Sequence, residues 1–308
     1  MNAVPVFLPS VSPSANGTGP EATPTARQSE ELVSGTAKTP MSEIQLKVLS
    51  WNLHGLAWPL SRDPGGRMDR VSAKVRDLSP DIVLLQEVWL GSHVDRLVMA
   101  LQPDWTPIFV KRRSHFPRGG LLMFARASTG WRAISAPEFH AFAASAPVWK
   151  IWEGDGLGGK GVLTVALERG EQRVCAVNTH LQSQYSGSTY SEVREAQLID
   201  LGKVVANVDA SVLSIVAGDF NTDAQESLYS HITALGADLT AEARQLSNYG
   251  TTANPRAGQS EWIDYIVAAN LQAWTASATL ELIANHSADV PYSDHSGLFC
   301  TIRLTPRE

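Results

Sequence analysis

The period of apolar and polar positions changes several times along the chain, and each change marks an element. "IQLKVLSWN" (44–52) alternates, with Ile44, Leu46, Val48 and Ser50 on one face, which predicts a strand. "DIVLLQEVW" (81–89) is a short continuous apolar run, as expected of a strand covered on both faces. Between them, "RMDRVSAKVRDLSP" (67–80) sets Met68, Val71, Val75 and Leu78 at helical spacing and stops at Pro80, so the body opens as β-α-β. Further strands are predicted at "LLMFAR", "GVLTVALE", "RVCAVNTHL", "SVLSIVAGDF", "WIDYIVAA" and "GLFCTIRL". A helix is expected over 189–208, with Val193, Gln197, Leu201, Val204 and Val208 on its buried stripe. Many strands with helices interspersed imply a layered α/β fold around packed sheets.

Composition sets the boundaries. With 308 residues, 44% hydrophobic and 18% charged, the chain can bury one large core. The first 42 residues differ from the rest. "VSPSANGTGPEATPTARQSEELVSGTAKTP" is rich in Pro, Ser, Thr, Gly and Ala without apolar periodicity, so burial cannot offset its ordering entropy. The expectation is a disordered tail over 1–42 and one catalytic body over 43–308. "MNAVPVFLPS" lacks a basic leader and is broken by Pro5 and Pro9, unlike a signal peptide. No apolar run approaches the roughly 20 residues of a membrane span. A soluble, cytoplasmic monomer with no obligate protein partner is therefore expected. Net charge is −6, and the only tight basic cluster is "KRR" at 111–113, which argues against a non-specific DNA binder. Cys175 and Cys300 fall in apolar runs and read as small core residues.

Candidate chemistry lies where the strands stop. The first ends in "SWNLHG" with Asn52 and the second in "LLQEVW" with Glu87. Later ones end in "VNTHLQ" with Asn178 and His180, and in "GDFNTD" with Asp219 and Asn221. "WIDYI" adds Asp264, and "YSDHSG" adds Asp294 and His295. Asp and Asn commonly cap helices or make turns, so any one of these has a plain structural explanation. Several in one chain can converge on a cleft at the sheet edges. Mg²⁺ takes oxygen ligands, often one or two carboxylates plus substrate phosphate and water, and Glu87 with Asn52 suits it. In-line attack by water on a phosphodiester needs a base, and an imidazole oriented by a carboxylate, as Asp264 and His295 would supply, fits. Charge gathering on phosphorus could be met by Asn221 and a protonated His180.

The ordered set "WN", "QE", "NTHL", "GDFN", "IDYI" and "SDH" resembles the endonuclease/exonuclease/phosphatase superfamily over roughly residues 44–304. That resemblance implies a four-layered α/β sandwich, two packed and mainly antiparallel sheets flanked by helices, of the DNase I-like type. It also implies cleavage of phosphate esters dependent on Mg²⁺, with Mn²⁺ or another divalent cation as the alternative. Carried over by position, Asn52, Glu87 and Asp294 look like the metal side, His295 like the general base and Asp264 like its orienting partner. Asp219 and Asn221 match the pair that positions nucleophile and phosphate, and His180 the histidine that assists phosphate or leaving group. One departure is His54, where some nucleases of the superfamily carry Asp. Within the superfamily, "RMDRVSAKVRDLSPDIVLLQEVW", "GGKGVLTVAL" and "THLQSQY" followed by "VREAQLIDL" resemble the neutral sphingomyelinases. They point to a phospholipase C-like activity on a phospholipid headgroup at a membrane surface. A nuclease, or a phosphatase of nucleotides or inositol phosphates, is the alternative on the same scaffold.

"GDGLGGKG" (154–161) satisfies GxGxxG and nearly a P-loop, but a strand, "VLTVALE", follows it where both motifs need a helix N-terminus. A nucleotide fold is excluded on that ground. Lys160 is instead expected to bind a substrate phosphate, with Asn178 as a second substrate-binding residue. Trp149 and Trp152 precede the loop, where they either meet lipid or pack in the core.

Overall fold

The computed structural model describes residues 43–57, 61, 63–111, 116–146, 159–184, 189–247, 249–254, 259–287 and 290–307, all within one unit, Met41–Glu308. The expected tail over 1–42 lies outside the described residues, as do Arg112, Arg113, Trp149, Trp152, Gly154 and Gly156.

Strand β1 (Ile44–Asn52) alternates as its sequence does. Ile44, Leu46 and Val48 enter one core cluster, whereas Leu49 and Trp51 enter a second on the other face. Helix α1 (Pro64–Leu78) starts where Asp63 accepts a hydrogen bond from the Gly66 N–H at 3.1 Å with Pro at its first position. It ends at Ser79, whose N–H closes on the Val75 carbonyl. Its buried stripe holds Met68, Val71 and Val75, as predicted, together with Arg67 and Ser72. Strand β2 (Ile82–Gln86) is buried throughout and pairs parallel with β1, Asn52 opposite Gln86.

Then follow α2 (Gly91–Leu101), β3 (Trp105–Ile108), β4 (Leu122–Arg126), β5 (Arg132–Ala133), β6 (Glu138–Ala141), β7 (Gly161–Arg169) and β8 (Gln172–His180). Helix α3 (Ser191–Ala206) crosses to β9 (Leu213–Asp219), which pairs parallel with β8, His180 opposite Asp219. The chain finishes with α4 (Tyr229–Leu235), β10 (Ala237–Asp238), α5 (Ala241–Leu246), β11 (Thr252–Asn254), β12 (Gln259–Glu261), β13 (Asp264–Ala269), β14 (Trp274–Ile283), β15 (His286–Ser287), β16 (Val290–Pro291) and β17 (Gly297–Pro306).

One sheet runs β14-β17-β1-β2-β4-β3 and the other β10-β13-β9-β8-β7-β5, with β6 also on β7. Every pairing except β1–β2 and β8–β9 is antiparallel, so each sheet holds one β-α-β unit at its centre. Helices α1 and α2 cover the first sheet through Met68, Val71, Val75, Val94 and Leu97. Leu198, Leu201 and Val205 of α3 and Ile232 of α4 pack in the core of the second. The result is two helix-flanked sheets packed on each other, the expected fold class.

The predicted strands form, and the elements that the sequence pattern does not announce include β14, α2 and β3. Strand β14 is alternately exposed and half-buried between its ends, α2 lacks a side-chain cap, and β3 is four residues long. The α3 stripe is also rotated from its predicted setting. Arg194, Gln197, Leu198, Leu201 and Val205 are buried, and Val193 and Val204 are half-buried. Cys175 and Cys300 are free, buried core residues, and burial pushes their thiols up to about 11 and about 12. Among the described residues no helix is long and apolar enough to cross a membrane.

Candidate active site

The parallel strands β1, β2, β8 and β9 end together, and their last residues supply the site. Asn52 closes β1, Glu87 follows β2, His180 closes β8 and Asp219 closes β9. The Asn52 amide nitrogen joins the two sheets, donating to Glu87 Oε1 at 3.0 Å and to Asp219 Oδ2 at 2.9 Å. Its carbonyl oxygen accepts from the His54 N–H at 3.0 Å. His180 Nε2 lies 3.4 Å from Asp219 Oδ2 and 3.9 Å from Glu87 Oε1. Glu87 and Asn221 hold φ of 56° and 47°, left-handed conformations that non-glycine residues rarely adopt.

A second group faces Asp219 from the other side. His295 Nδ1 lies 2.8 Å from Asp264 Oδ2, and its Nε2 is 3.7 Å from Asp219 Oδ2. Asp264 is held opposite Asp219 by the register of β13 on β9. Three further contacts fix the segment that carries His295. Trp51 Nε1 donates to the His295 carbonyl at 2.9 Å, Ser293 Oγ donates to the Asn52 carbonyl at 2.6 Å, and the Ser296 N–H donates to the Thr251 carbonyl at 2.7 Å. Thr251 Oγ1 in turn accepts from the Asp264 N–H at 3.3 Å, so one threonine ties base and orienting carboxylate together. Asn221 Nδ2 donates to the Leu181 carbonyl and its N–H to Asp219 Oδ1.

Burial and charge decide protonation. Burial in the first place, with the charges of Lys160 and His295, pushes His180 well below the usual imidazole range. The protonated His180 expected from sequence runs against this shift, which favours the neutral ring, and Lys160 Nζ lies 2.7 Å from His180 Nε2. Burial disfavours charge on His295 too, but the carboxylates of Asp264 and Asp219 outweigh it and hold this imidazole well above its ordinary range. The Asp219 carboxyl is raised to about 7, chiefly by burial, with His295 opposing and Asp264 reinforcing.

Asn178 also departs from expectation. It shares a strand face with His180 but sits one layer deeper, fully buried, with its amide donating to the Leu85 carbonyl at 2.9 Å and accepting from Gln86 Nε2 at 2.8 Å. Such an amide clamps one sheet to the other, with its hydrogen-bonding atoms taken up inside the core. Asp294 stands at the exposed edge, Oδ2 3.1 Å from His54 Nδ1. Sequence reasoning passed over Ser293 and Thr251, and it met Arg67 only as the residue that leads the helix resembling that of the neutral sphingomyelinases. Arg67 is a cation beside Met68 on the buried face of α1.

The residues present fit a divalent cation. Glu87, His180 and Asp219 bring ligand atoms within 4.8 Å of one another, as do Asp219, Asp264 and His295. Oxygen donors dominate, as a hard ion prefers, and a carboxyl raised by burial lacks the positive charge such an ion would bring.

Comparison with known proteins agrees with this geometry. Residues 49–295 match the model of the Endonuclease/Exonuclease/phosphatase family. A putative neutral sphingomyelinase of Drosophila melanogaster is 28% identical over 189 residues, which make up 60% of this chain and 41% of the fly protein. An inositol phosphosphingolipids phospholipase C of Schizosaccharomyces pombe is 30% identical over 198 residues, 62% of this chain and 45% of the yeast protein. The chain thus spans less than half the length of these relatives. The crystal structure of a humanized D. rerio TDP2 superposes with a TM-score of 0.67 at 18% identity, covering 84% of this chain and 98% of that one, a likeness of fold.

Proposed function

The chain belongs to the endonuclease/exonuclease/phosphatase family, and on that premise we propose that it is a divalent-cation-dependent phosphodiesterase that cleaves a sphingomyelin-type phospholipid as a phospholipase C does. One observation carries the reaction: the Asp264–His295 pair faces the same buried Asp219 that Asn52 ties to Glu87.

Glu87, with Asn52 beside it and Asp294 at the rim, would hold the cation. When bound, it supplies positive charge to the phosphate oxygens. The carboxylates around His295 favour its charged form in the cation-free site; the positive charge of a bound cation would offset Asp219 and weaken that preference, and Asp264 then orients the neutral ring so that Nε2 takes the proton of the attacking water. The water oxygen bonds to phosphorus while the bond from phosphorus to the lipid alcohol oxygen breaks, and that oxygen keeps the bond pair and takes a proton from water to leave as the free alcohol. Asn221 and Lys160 would donate to the charge that gathers on the phosphate. Asp219 bridges both groups and sets their spacing.

The lipid assignment is supported by the names of the two curated relatives and by the stretches 67–89, 158–167 and 179–201. The test is purified protein with Mg²⁺, assayed in parallel on sphingomyelin and phosphatidylcholine in mixed micelles, DNA, RNA and soluble phosphomonoesters. Fastest turnover of sphingomyelin is expected. Much faster hydrolysis of nucleic acid or soluble esters than of any phospholipid would transfer the substrate to the nuclease or phosphatase alternative and leave the family untouched.

A further inference from the structure

The turn after β1 has its polar groups consumed by an unusual set of partners. The Leu53 N–H donates to the Gln86 carbonyl and the Gly55 N–H to the Glu87 carbonyl, each at 3.0 Å. Gly55 is required there, since a Cβ would stand 2.3 Å from the Glu87 carbonyl oxygen. The two remaining carbonyls, of Leu53 and His54, both accept from Arg67 Nη1, at 3.0 and 2.7 Å. Arg67 is only 4% exposed and enters from the first turn of α1. Between these anchors His54 is held at φ 45°, a left-handed setting that a histidine rarely adopts unless its surroundings over-determine it.

In that setting the imidazole links the two halves of the site. His54 Nδ1 lies 3.1 Å from Asp294 Oδ2, next to His295 in the chain, and 3.9 Å from Glu87 Oε2, on the first strand pair. One helical turn on, Arg70 reaches the segment that leads into Asp294, its Nη2 donating to the Pro291 carbonyl at 3.0 Å. Helix α1 thereby grips both arms of the cleft, Arg67 on the Asn52 side and Arg70 on the His295 side.

We propose that Arg67 is a positioning residue that acts through His54, and that the pair sets the placement of Asp294 against Glu87 and with it the affinity for the divalent cation. The inference rests on the cation-dependent reading above. Neither side chain enters the chemistry. Each fixes groups that do, and partners of that kind commonly alter metal affinity by about 10- to 100-fold when removed.

The experiment follows the rise in melting temperature as Mg²⁺ is added to the full chain, together with activity against Mg²⁺ concentration. His54→Ala, which removes a partly exposed ring, should move the midpoint of both curves to about tenfold higher Mg²⁺. Arg67→Lys keeps the charge but cannot serve two carbonyls in the same fork, so it should move them in the same direction while leaving the cation-free melting temperature near that of the parent. The double variant should be no worse than His54→Ala alone, because Arg67 has nothing left to position. Unchanged midpoints in the single variants, or shifts that multiply in the double, would overturn the proposal while the parent's cation response stands. A parent chain with no Mg²⁺-dependent rise would overturn both the cation reading and the inference built on it.

Discussion

Glu87 combines a carboxylate at the centre of the site with a backbone at φ 56°, so its side chain and its main chain carry separate burdens. Glu87→Gln preserves shape and backbone and removes only the charge. It should abolish Mg²⁺-dependent turnover and leave the melting temperature of the cation-free protein nearly unchanged. Near-normal activity with the same Mg²⁺ dependence would take Glu87 out of the site. The Asp264–His295 pair is read differently, through coupling. His295→Ala should cost several orders of magnitude in kcat, and Asp264→Asn somewhat less, since the ring remains but loses its orientation. The double variant should be hardly worse than His295→Ala. If the two losses multiply, the residues do not act as a unit. What sequence could not convey at this scale was environment: Lys160 is 20 residues from His180 along the chain, and only folding buries that imidazole and brings Lys160 Nζ onto it, which together push the ring toward its neutral form.

The elements show why some of the fold was legible and some was not. Strands β1, β2, β8 and β9 announce themselves because each is an apolar run that ends at or beside a candidate site residue, and the same pleat that buries the run delivers that side chain to the sheet edge. Asn178 and His180 share a face by strand parity, but parity carries no information about depth, and the Asn178 amide lies in the layer beneath the cleft. Strand β14, "WTASATLELI", hides because small Ala, Ser and Thr side chains at the sheet edge leave no apolar run to recognise. The register of β8 on β9 has its own requirement. Gly218 holds φ 152°, and a Cβ there would lie 1.9 Å from the Thr179 carbonyl oxygen. Gly218→Ala must therefore push apart the two strands that carry His180 and Asp219. A melting temperature lower by several degrees is expected, about 2–4 kcal/mol of lost stability, together with a fall in kcat. A variant as stable and active as the parent would mean that the strands tolerate a wider spacing than this packing implies.

For the whole molecule, the site depends on two β-α-β units brought face to face, and neither is complete alone: the first contributes Asn52 and Glu87, the second His180 and Asp219, and the later strands add Asp264 and His295. Closing that arrangement requires β1 to lie between β17 and β2, so the start of β1 is the expected boundary of the chain the body needs. The first described contacts occur at Glu43, whose carboxylate pairs with Arg303 at 2.9 Å and whose carbonyl accepts from Gln172 at 3.2 Å. From Ile44 onward each residue is registered against β17, Ile44 opposite Leu304 and Leu46 opposite Ile302. Removing residues 1–42, which have no apolar periodicity and no motif residue, should leave the melting temperature and kcat/KM on mixed micelles essentially unchanged. Removing four residues more exposes the core-facing partners of Ile44 and Leu46 and should destabilise the body by several kcal/mol, since each buried aliphatic side chain contributes about 1.5–3 kcal/mol. The pair of truncations is decisive because it separates docking from pairing. A large loss of stability already at residue 42 would show that the tail packs on the body, whereas a step confined to the longer deletion places the start of the catalytic unit at the first residue of β1.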